Sequence, residues 1–364
     1  MNKIITILGN RPQFIKSALV SRELTNNRKI KEIIIHTGQH FDFKMSKIFF
    51  DQLDLKKPKY FLKINNLNHG AMTGRMLEEI EEIVIKENPN MVLVYGDTNS
   101  TLAGALAASK LNIPVAHIEA GLRSFNRKMP EEINRIIVDK ISNLLFCPTK
   151  TAMENLKKEI INKKEIKIVK SGDVMYDSMI YFSAISNEQS KIIKELKLKE
   201  YALCTIHRAE NTDNKEKLTS IFSALKKIGE KMDVVIPIHP RTKNYLKKYK
   251  IKTKNLKVIE PVGYLDMIKL TQSAKIILTD SGGLQKEAFF LQKPTIILRE
   301  ETEWIELVEN GFASLSGSKK NKIIKNFGKM INKKIKKNGF YGKGNASQII
   351  VNQITHYLNE NHNN

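Results

Sequence analysis

The sequence predicts an α/β protein of two Rossmann-like domains facing a cleft, each built on a parallel sheet. Short apolar runs alternate with amphipathic stretches along the whole chain. The runs are continuously apolar, as strands covered by helices on both faces require. The series also occurs twice within 364 residues, too long for one comfortable core and suited to two domains.

In order, KIITIL, KEIIIHT, MVLVYG, PVAHIEA and NLLFCPT are the strand-like runs of the first half. YALCTIH, DVVIPIH, LKVIEP, KIILTD and PTIIL repeat the pattern in the second. Helical periodicity fills the gaps, as in GAMTGRMLEEIEEIVIKE and STLAGALAASKL. These assignments give a first domain over 1–168 and a second over 169–364, with the hinge in VKSGDVM, Val169 to Met175. A last helical stretch, ASQIIVNQITHYL, follows the Gly-rich turn YGKGN and is a candidate to pack back on the first domain.

Hydrophobic residues make up 41% and charged residues 27%, ordinary for a globular protein. No apolar run approaches the roughly 20 residues of a membrane helix. MNKIITILGNRP reads as a first strand rather than a signal peptide, so a cytoplasmic protein with no membrane insertion is expected. Cys147 and Cys204 lie in strand-like runs and read as reduced, buried thiols. The formal net charge is +23, but the lysines are spread along the chain. They are dense only in SGSKKNKIIKNFGKMINKKIKKNGF, where apolar residues at helical spacing mark a solvated amphipathic face. A polyanion-binding patch is the second reading there, and no nucleic-acid partner is expected.

Ligands of doubly wound sheets bind at the carboxyl ends of the strands, and polar residues cluster there. In TDSGGLQKEAFF, Ser281, Gly282 and Gly283 open a helix after a strand. Glycine admits a ligand close to the backbone, and free N–H groups with the helix dipole favour an anion. The blander reading is a tight turn capped by Asp280 or Ser281. Glu287, one turn deeper, suits sugar hydroxyls better than phosphate, and the two together suit a nucleotide. In LGNRPQFIKSALV, Pro12 marks a helix start flanked by Arg11 and Lys16, two cations able to face a cleft. In YGDTNSTLAGALAA, Asp97 follows a strand, and either it or Thr98, Asn99 or Ser100 caps the next helix.

HIEAGLRSFNRKMPEEINR crowds Glu119, Arg123, Arg127, Glu131, Glu132 and Arg135 together. Helix-dipole complementarity accounts for Glu131 and Glu132 after Pro130, but not for Glu119 at a strand end. In CTIHRAENTD and PIHPRTKN, His207 and His239 each end a strand, with Arg208 and Arg241 close behind. No metal-ligand constellation and no Gly-x-Ser-x-Gly elbow is present in the sequence.

Over nearly its whole length the chain resembles the non-hydrolysing UDP-N-acetylglucosamine 2-epimerases. The likeness runs through GNRPQFIK, VYGDTNSTLAG, HIEAGLRS, PEEINR, GDVMYDSM, HRAEN and DSGGLQKEA, in the family's order. It implies the GT-B architecture, a UDP-sugar substrate, a homodimer, a use in surface-polysaccharide precursor synthesis, and no metal or nicotinamide cofactor. Arg11 and Lys16 would meet the substrate, Ser281, Gly282 and Gly283 the diphosphate, and Glu287 the ribose hydroxyls. His239 is a further candidate UDP contact. Asp97, Glu119, Glu131 and His207 would surround the sugar, His207 contacting the diphosphate or acting as an acid, with Arg135 supporting the carboxylates. The implied reaction interconverts UDP-N-acetylglucosamine and UDP-N-acetylmannosamine. A carboxylate removes the C2 proton while UDP leaves C1, and UDP adds back to the 2-acetamidoglucal after protonation on the other face. Asp97 and Glu131 are the expected proton-transfer pair, with Glu119 next.

Three departures stand out. GNRPQ replaces the commonest GTRPE, Ala209 replaces an arginine of HRRE, and Gln39-His40-Phe41 replaces QHR, a region that in many bacterial members helps bind an activating second UDP-sugar. RPQFIK, HRAENTD and ETEW are closer to a branch that includes epimerases of UDP-2,3-diacetamido-2,3-dideoxyglucuronate, whose carboxylated sugar would suit Arg123 and Arg127. That substrate is the runner-up, followed by a GT-B glycosyltransferase.

Overall fold

The structure, a computed structural model, describes residues 1–39, 53, 55–160, 165–336 and 339–360. Its contacts divide into two compact units, Met1–Ile180 with Gly339–Asn364, and Tyr181–Asn338. No described helix is long and apolar enough to cross a membrane.

The first unit holds a parallel seven-stranded sheet. Its strands are β1 (Asn2–Leu8), β2 (Ile30–His36), β3 (Tyr60–Phe61), β4 (Met91–Tyr95), β5 (Val115–Ile118), β6 (Leu144–Cys147) and β7 (Lys167–Lys170), in the order β3-β2-β1-β4-β5-β6-β7. The continuous Ile/Val runs are needed because both faces are covered. On one face, Ile5, Ile7, Val92 and Val94 pack with Met76, Ile80 and Val84 of the helix His69–Glu87 and with the alanines of the helix Asn99–Lys110. Each such aliphatic side chain contributes roughly 1.5–3 kcal/mol by leaving water. The helix Ala346–Glu360 belongs to this unit, because the Asp177 carboxylate accepts hydrogen bonds from Ala346 N at 3.1 Å and Ser347 N at 2.7 Å. Asn27 Nδ2 adds a bond to Thr355 Oγ1 at 3.0 Å.

A parallel six-stranded sheet forms the second unit. Its strands are β8 (Tyr201–Thr205), β9 (Asp233–Pro237), β10 (Lys257–Ile259), β11 (Ile276–Thr279), β12 (Thr295–Ile297) and β13 (Ala313–Leu315), in the order β10-β9-β8-β11-β12-β13. Side chains of β8 alternate between two cores. Ala202 and Cys204 meet residues of the helices Lys215–Gly229 and Lys320–Met330, while Tyr201 and Leu203 meet residues of Tyr264–Ser273 and Gly282–Phe290. The lysine-dense stretch supplies the helix Lys320–Met330, which buries Ile323, Phe327 and Met330 and exposes Lys320, Lys322, Lys325 and Lys329. Cys147 and Cys204 are free and buried, and burial pushes both thiols up.

Strand order reverses at β1, which has β2 on one side and β4 on the other, and again at β8, between β9 and β11. Crevices form outside the carboxyl ends of the strands at such switch points. β1 and β4 lead into Gly9 and Asp97, and β8 and β11 lead into His207 and Ser281.

Candidate active site

In the first unit the chain leaves β1 at Gly9, where a Cβ would fall 2.1 Å from Ser100 Oγ and 2.5 Å from Thr37 Oγ1, so only glycine fits. Asn10 caps the helix Arg11–Asn26 by accepting from Gln13 N at 3.2 Å. Gln13 is buried and links the two loops of the switch point. Its Oε1 accepts from Gly9 N at 2.7 Å, and its Nε2 donates to Tyr95 O at 2.8 Å and to Thr98 and Thr101 Oγ1, both at 3.0 Å. Half-buried Arg11 opens the helix, and Lys16, one turn on, ion-pairs with Glu119.

β4 ends in a turn through Gly96 and Asp97. Thr98, with Thr101, forms a capping box on the helix Asn99–Lys110, so Asp97 has no capping duty. The Asp97 carboxylate is ion-paired with Arg135, and its carbonyl accepts from Asn134 Nδ2 at 2.9 Å. Arg135 is buried and also holds Glu132 at 2.9 Å. Glu119 sits just past β5 with φ +72°, a strained value for a residue bearing a Cβ. Gly96, at φ +65°, lies against this group. A Cβ there would be 3.3 Å from Glu119 Oε2 and 3.4 Å from Lys16 Nζ.

The two acids at the start of the helix Pro130–Ile141 have different tasks. Glu132 is buried and accepts from Ser124 N at 2.9 Å, Ser124 Oγ at 3.0 Å and Phe125 N at 2.9 Å, which fixes the preceding loop. Glu131 is half-buried, and its carboxylate makes no hydrogen bond or ion pair among the described residues. Arg123 is not placed for a sugar carboxylate. It is buried, and its guanidinium is taken up by Asp139 at 2.7 Å and by Glu159 at 2.7 and 2.8 Å. Two nearby carboxylates inside the fold outcompete any external one. Arg127 is exposed. The side chain of Gln39 accepts from Ser100 N and Oγ at 3.1 and 2.7 Å, whereas His40 and Phe41 lie outside the described residues.

The second unit gathers cations and backbone donors. Ser281 caps the helix Gly282–Phe290, with Gly282 and Gly283 as its first two residues. Asp280 is fully buried and does not cap it. It accepts from His207 N at 3.0 Å, Arg208 N at 3.0 Å and Asn211 Nδ2 at 3.1 Å, pinning the HRAEN turn beside the helix start. Arg208 Nη2 lies 3.9 Å from where a Gly282 Cβ would be. Its Nε is buried with no hydrogen-bond partner among the described residues. The first turn of this helix and the Arg208 guanidinium together offer donors of the kind that suit an anion. Trp304 Nε1 donates to Gly282 O at 3.0 Å, and Lys286 Nζ lies 4.0 Å from the centre of its ring. Glu303 Oε2 lies 3.7 Å from the same Gly282 Cβ position, and buried Arg299 binds this carboxylate at 2.9 Å. Burial tends to raise the Glu303 pKa, but the Arg299 charge and hydrogen bonds outweigh it and bring it below the ordinary value.

His207 and His239 come together, with ring centroids 5.6 Å apart. His239 Nδ1 caps the helix Pro240–Lys248 by accepting from Arg241 N at 3.2 Å. Lost hydration lowers the His239 pKa, and the nearby His207 and Arg241 lower it further. Arg241 is bound to Asp213, with Nη2 2.6 Å from Oδ1. Glu287 is buried one turn into the helix Gly282–Phe290.

Within the first unit, Lys16–Glu119 and Arg135–Asp97 are two ion pairs, the first lying against Gly96 and the second on the next residue, and Glu131 lies on the helix that supplies Arg135. In the second unit His207, His239, Ser281 and Gly282 lie at the switch point. Arg208 is the residue that sequence reasoning undervalued. Its signal was the buried Asp280 directly before SGG, which draws HRAEN against the helix start.

A sequence model of the family described as UDP-N-acetylglucosamine 2-epimerase matches residues 22–355. A Methanococcus maripaludis protein called a UDP-N-acetylglucosamine 2-epimerase homolog is 55% identical over 357 residues, covering 96% of this chain and 98% of its own length. The UDP-2,3-diacetamido-2,3-dideoxy-D-glucuronate 2-epimerase of Pseudomonas aeruginosa is 51% identical over 354 residues, covering 97% and 99%. Among solved structures, Methanocaldococcus jannaschii UDP-GlcNAc 2-epimerase in complex with UDP-GlcNAc and UDP superposes with a TM-score of 0.91 at 45% identity, covering 97% of this chain and 99% of that one.

Proposed function

The chain belongs to the UDP-N-acetylglucosamine 2-epimerase family, and from that premise we propose that it inverts C2 of a UDP-linked 2-acetamido sugar, UDP-N-acetylglucosamine first. The observation that carries this reading is the grouping of Asp97, Glu119 and Glu131 on three neighbouring segments at the carboxyl edge of one sheet. Inverting a C–H centre needs a base on one face and an acid on the other. Asp97 is ion-paired with Arg135, whereas Glu131 makes no ion pair among the described residues. Two carboxylates in such different surroundings suit opposite proton-transfer roles.

In the forward direction one carboxylate takes the C2 proton. The C2–H electron pair becomes the C1=C2 double bond, and the C1–O bond breaks with its pair on UDP. The second carboxylate then protonates C2 from the other face, and UDP returns to C1. Lys16, paired with Glu119, keeps positive charge beside the acids. The helix start at Ser281–Gly283 and Arg208 hold the departing diphosphate. His207 contacts that diphosphate, His239 lies next to it, and Glu287 takes the ribose hydroxyls. Arg11 meets the substrate from the start of its helix. A homodimer and a cytoplasmic setting go with this reading, and light scattering of the purified chain tests the first.

The 51% identity to the P. aeruginosa enzyme favours a second substrate, UDP-2,3-diacetamido-2,3-dideoxyglucuronate. Chromatography of parallel incubations separates the cases. UDP-N-acetylmannosamine formed from UDP-N-acetylglucosamine supports the first reading. Turnover of the diacetamido-uronate alone transfers the proposal to the second, and transfer of the sugar to an acceptor, without epimer, overturns both.

A further inference from the structure

His117 lies within β5 and is fully buried, and nothing in the reaction above uses it. Its Nδ1 is 2.8 Å from Asp139 Oδ1, and its Nε2 is 2.7 Å from the carbonyl oxygen of Gly96. Asp139, on the helix Pro130–Ile141, is fully buried as well. Its other oxygen accepts from Gly121 N at 3.2 Å and from Arg123 Nη1 at 2.7 Å, and Arg123 in turn binds Glu159. Well-packed apolar side chains fasten a helix to a sheet at least as firmly as a buried charged chain does. The ends of this chain therefore matter more than its middle.

One end is the peptide joining Gly96 to Asp97. Gly96 is held by β5 on both sides, its N–H donating to Ile118 O at 2.9 Å and its carbonyl accepting from His117. At the other end is Gly121 N, two residues past Glu119. Glu119 holds its strained backbone with its own N–H and that of Ala120 both directed at Phe146 O, at 3.1 and 3.0 Å. Strain of this kind persists only where the surroundings over-determine it. A single buried carboxylate, Asp139, thus reaches the Asp97 turn through His117 and the Glu119 turn directly.

We propose that His117 and Asp139 form a positioning unit that fixes the Gly96–Asp97 turn against the Glu119–Gly121 turn, so that the Asp97 and Glu119 carboxylates keep their places around the sugar. This rests on the epimerase reading above. Neither residue touches substrate; they act through the backbone on either side of the acids.

Two replacements dissect the pair. In His117→Asn the amide occupies the Nδ1 position, keeping Asp139 and releasing Gly96. In His117→Gln the amide reaches the Nε2 position, keeping Gly96 and releasing Asp139. Each is assayed for C2-proton exchange, for UDP affinity by calorimetry, and for backbone amide exchange by mass spectrometry. His117→Asn is expected to lower kcat on the order of 10- to 100-fold with KM and UDP affinity little changed. It should speed amide exchange in the segment around Gly96–Thr98 while the rest of the sheet stays protected. His117→Gln should do the same around Glu119–Arg123 and retain more kcat if the Gly96 link dominates. Unchanged kcat with a lower thermal midpoint would make the pair a fold staple and overturn the proposal. If the unaltered protein exchanges no UDP-sugar proton, the epimerase reading fails, and the amide pattern alone decides: local loss at the two turns keeps the positioning unit, uniform loss removes it.

Discussion

Two residues separate chemistry from binding. Asp97 has no cap to make, because Thr98 makes it, and its carboxylate is directed to Arg135. Asp97→Asn is therefore expected to cut C2-proton exchange by roughly 100-fold or more while UDP affinity stays, as NMR and calorimetry would record. Arg208→Ala should do the reverse, weakening UDP by about 10- to 100-fold, the loss of a charge-assisted hydrogen bond worth roughly 1.5–3 kcal/mol. A third residue concerns stability alone. Burial pushes the Glu32 carboxyl above its ordinary 4.5, against the hydroxyls of Ser21 and Thr6, which favour the carboxylate. The folded chain then holds that proton more tightly than the unfolded chain. The associated stability is present below the ordinary value and is lost as pH rises through the folded one. Glu32→Gln should remove this decline, visible as a denaturation midpoint less dependent on pH above about 4.5. At this scale the sequence identifies residue types well and partners poorly. Arg123 read as suited to a sugar carboxylate, yet Asp139 and Glu159, 16 and 36 residues further along, take it up. Pairings across that separation leave no local trace.

At the scale of elements, turn chemistry was the readable part. Pro12 and Pro130 open their helices, and the SGG start follows β11 directly. The cap itself was left open between Asp280 and Ser281. The structure gives it to Ser281 because Asp280 is drawn inward by three donors from the HRAEN turn. The helix Gly282–Phe290 is thus held by a cap at its edge and by Trp304 from behind. Ser281→Ala should lower stability by about 1 kcal/mol, measured by denaturant titration, and weaken UDP binding as well. The lysine-dense segment behaves as its spacing predicted, with Ile323, Phe327 and Met330 inward and lysines outward.

For the whole molecule, two parallel sheets follow from two series of continuous apolar strands, and their order places the polar strand ends at two switch points. The path of the chain after Gly339 was less legible, because the Asp177 bonds to Ala346 and Ser347 span about 170 residues. The net charge of +23 acts at this scale too. It should attract a UDP-sugar from a distance, so kcat/KM should fall between about 0.01 and 0.15 M salt, as the screening length shrinks from roughly 30 to 8 Å, while kcat holds. Carboxylates of the first unit are expected to remove and replace the proton at C2. An NMR time course of the protein with UDP-N-acetylglucosamine in D2O tests it most directly. UDP-N-acetylmannosamine carrying deuterium at C2 is the expected product. Epimer that keeps its original C2 proton would contradict it.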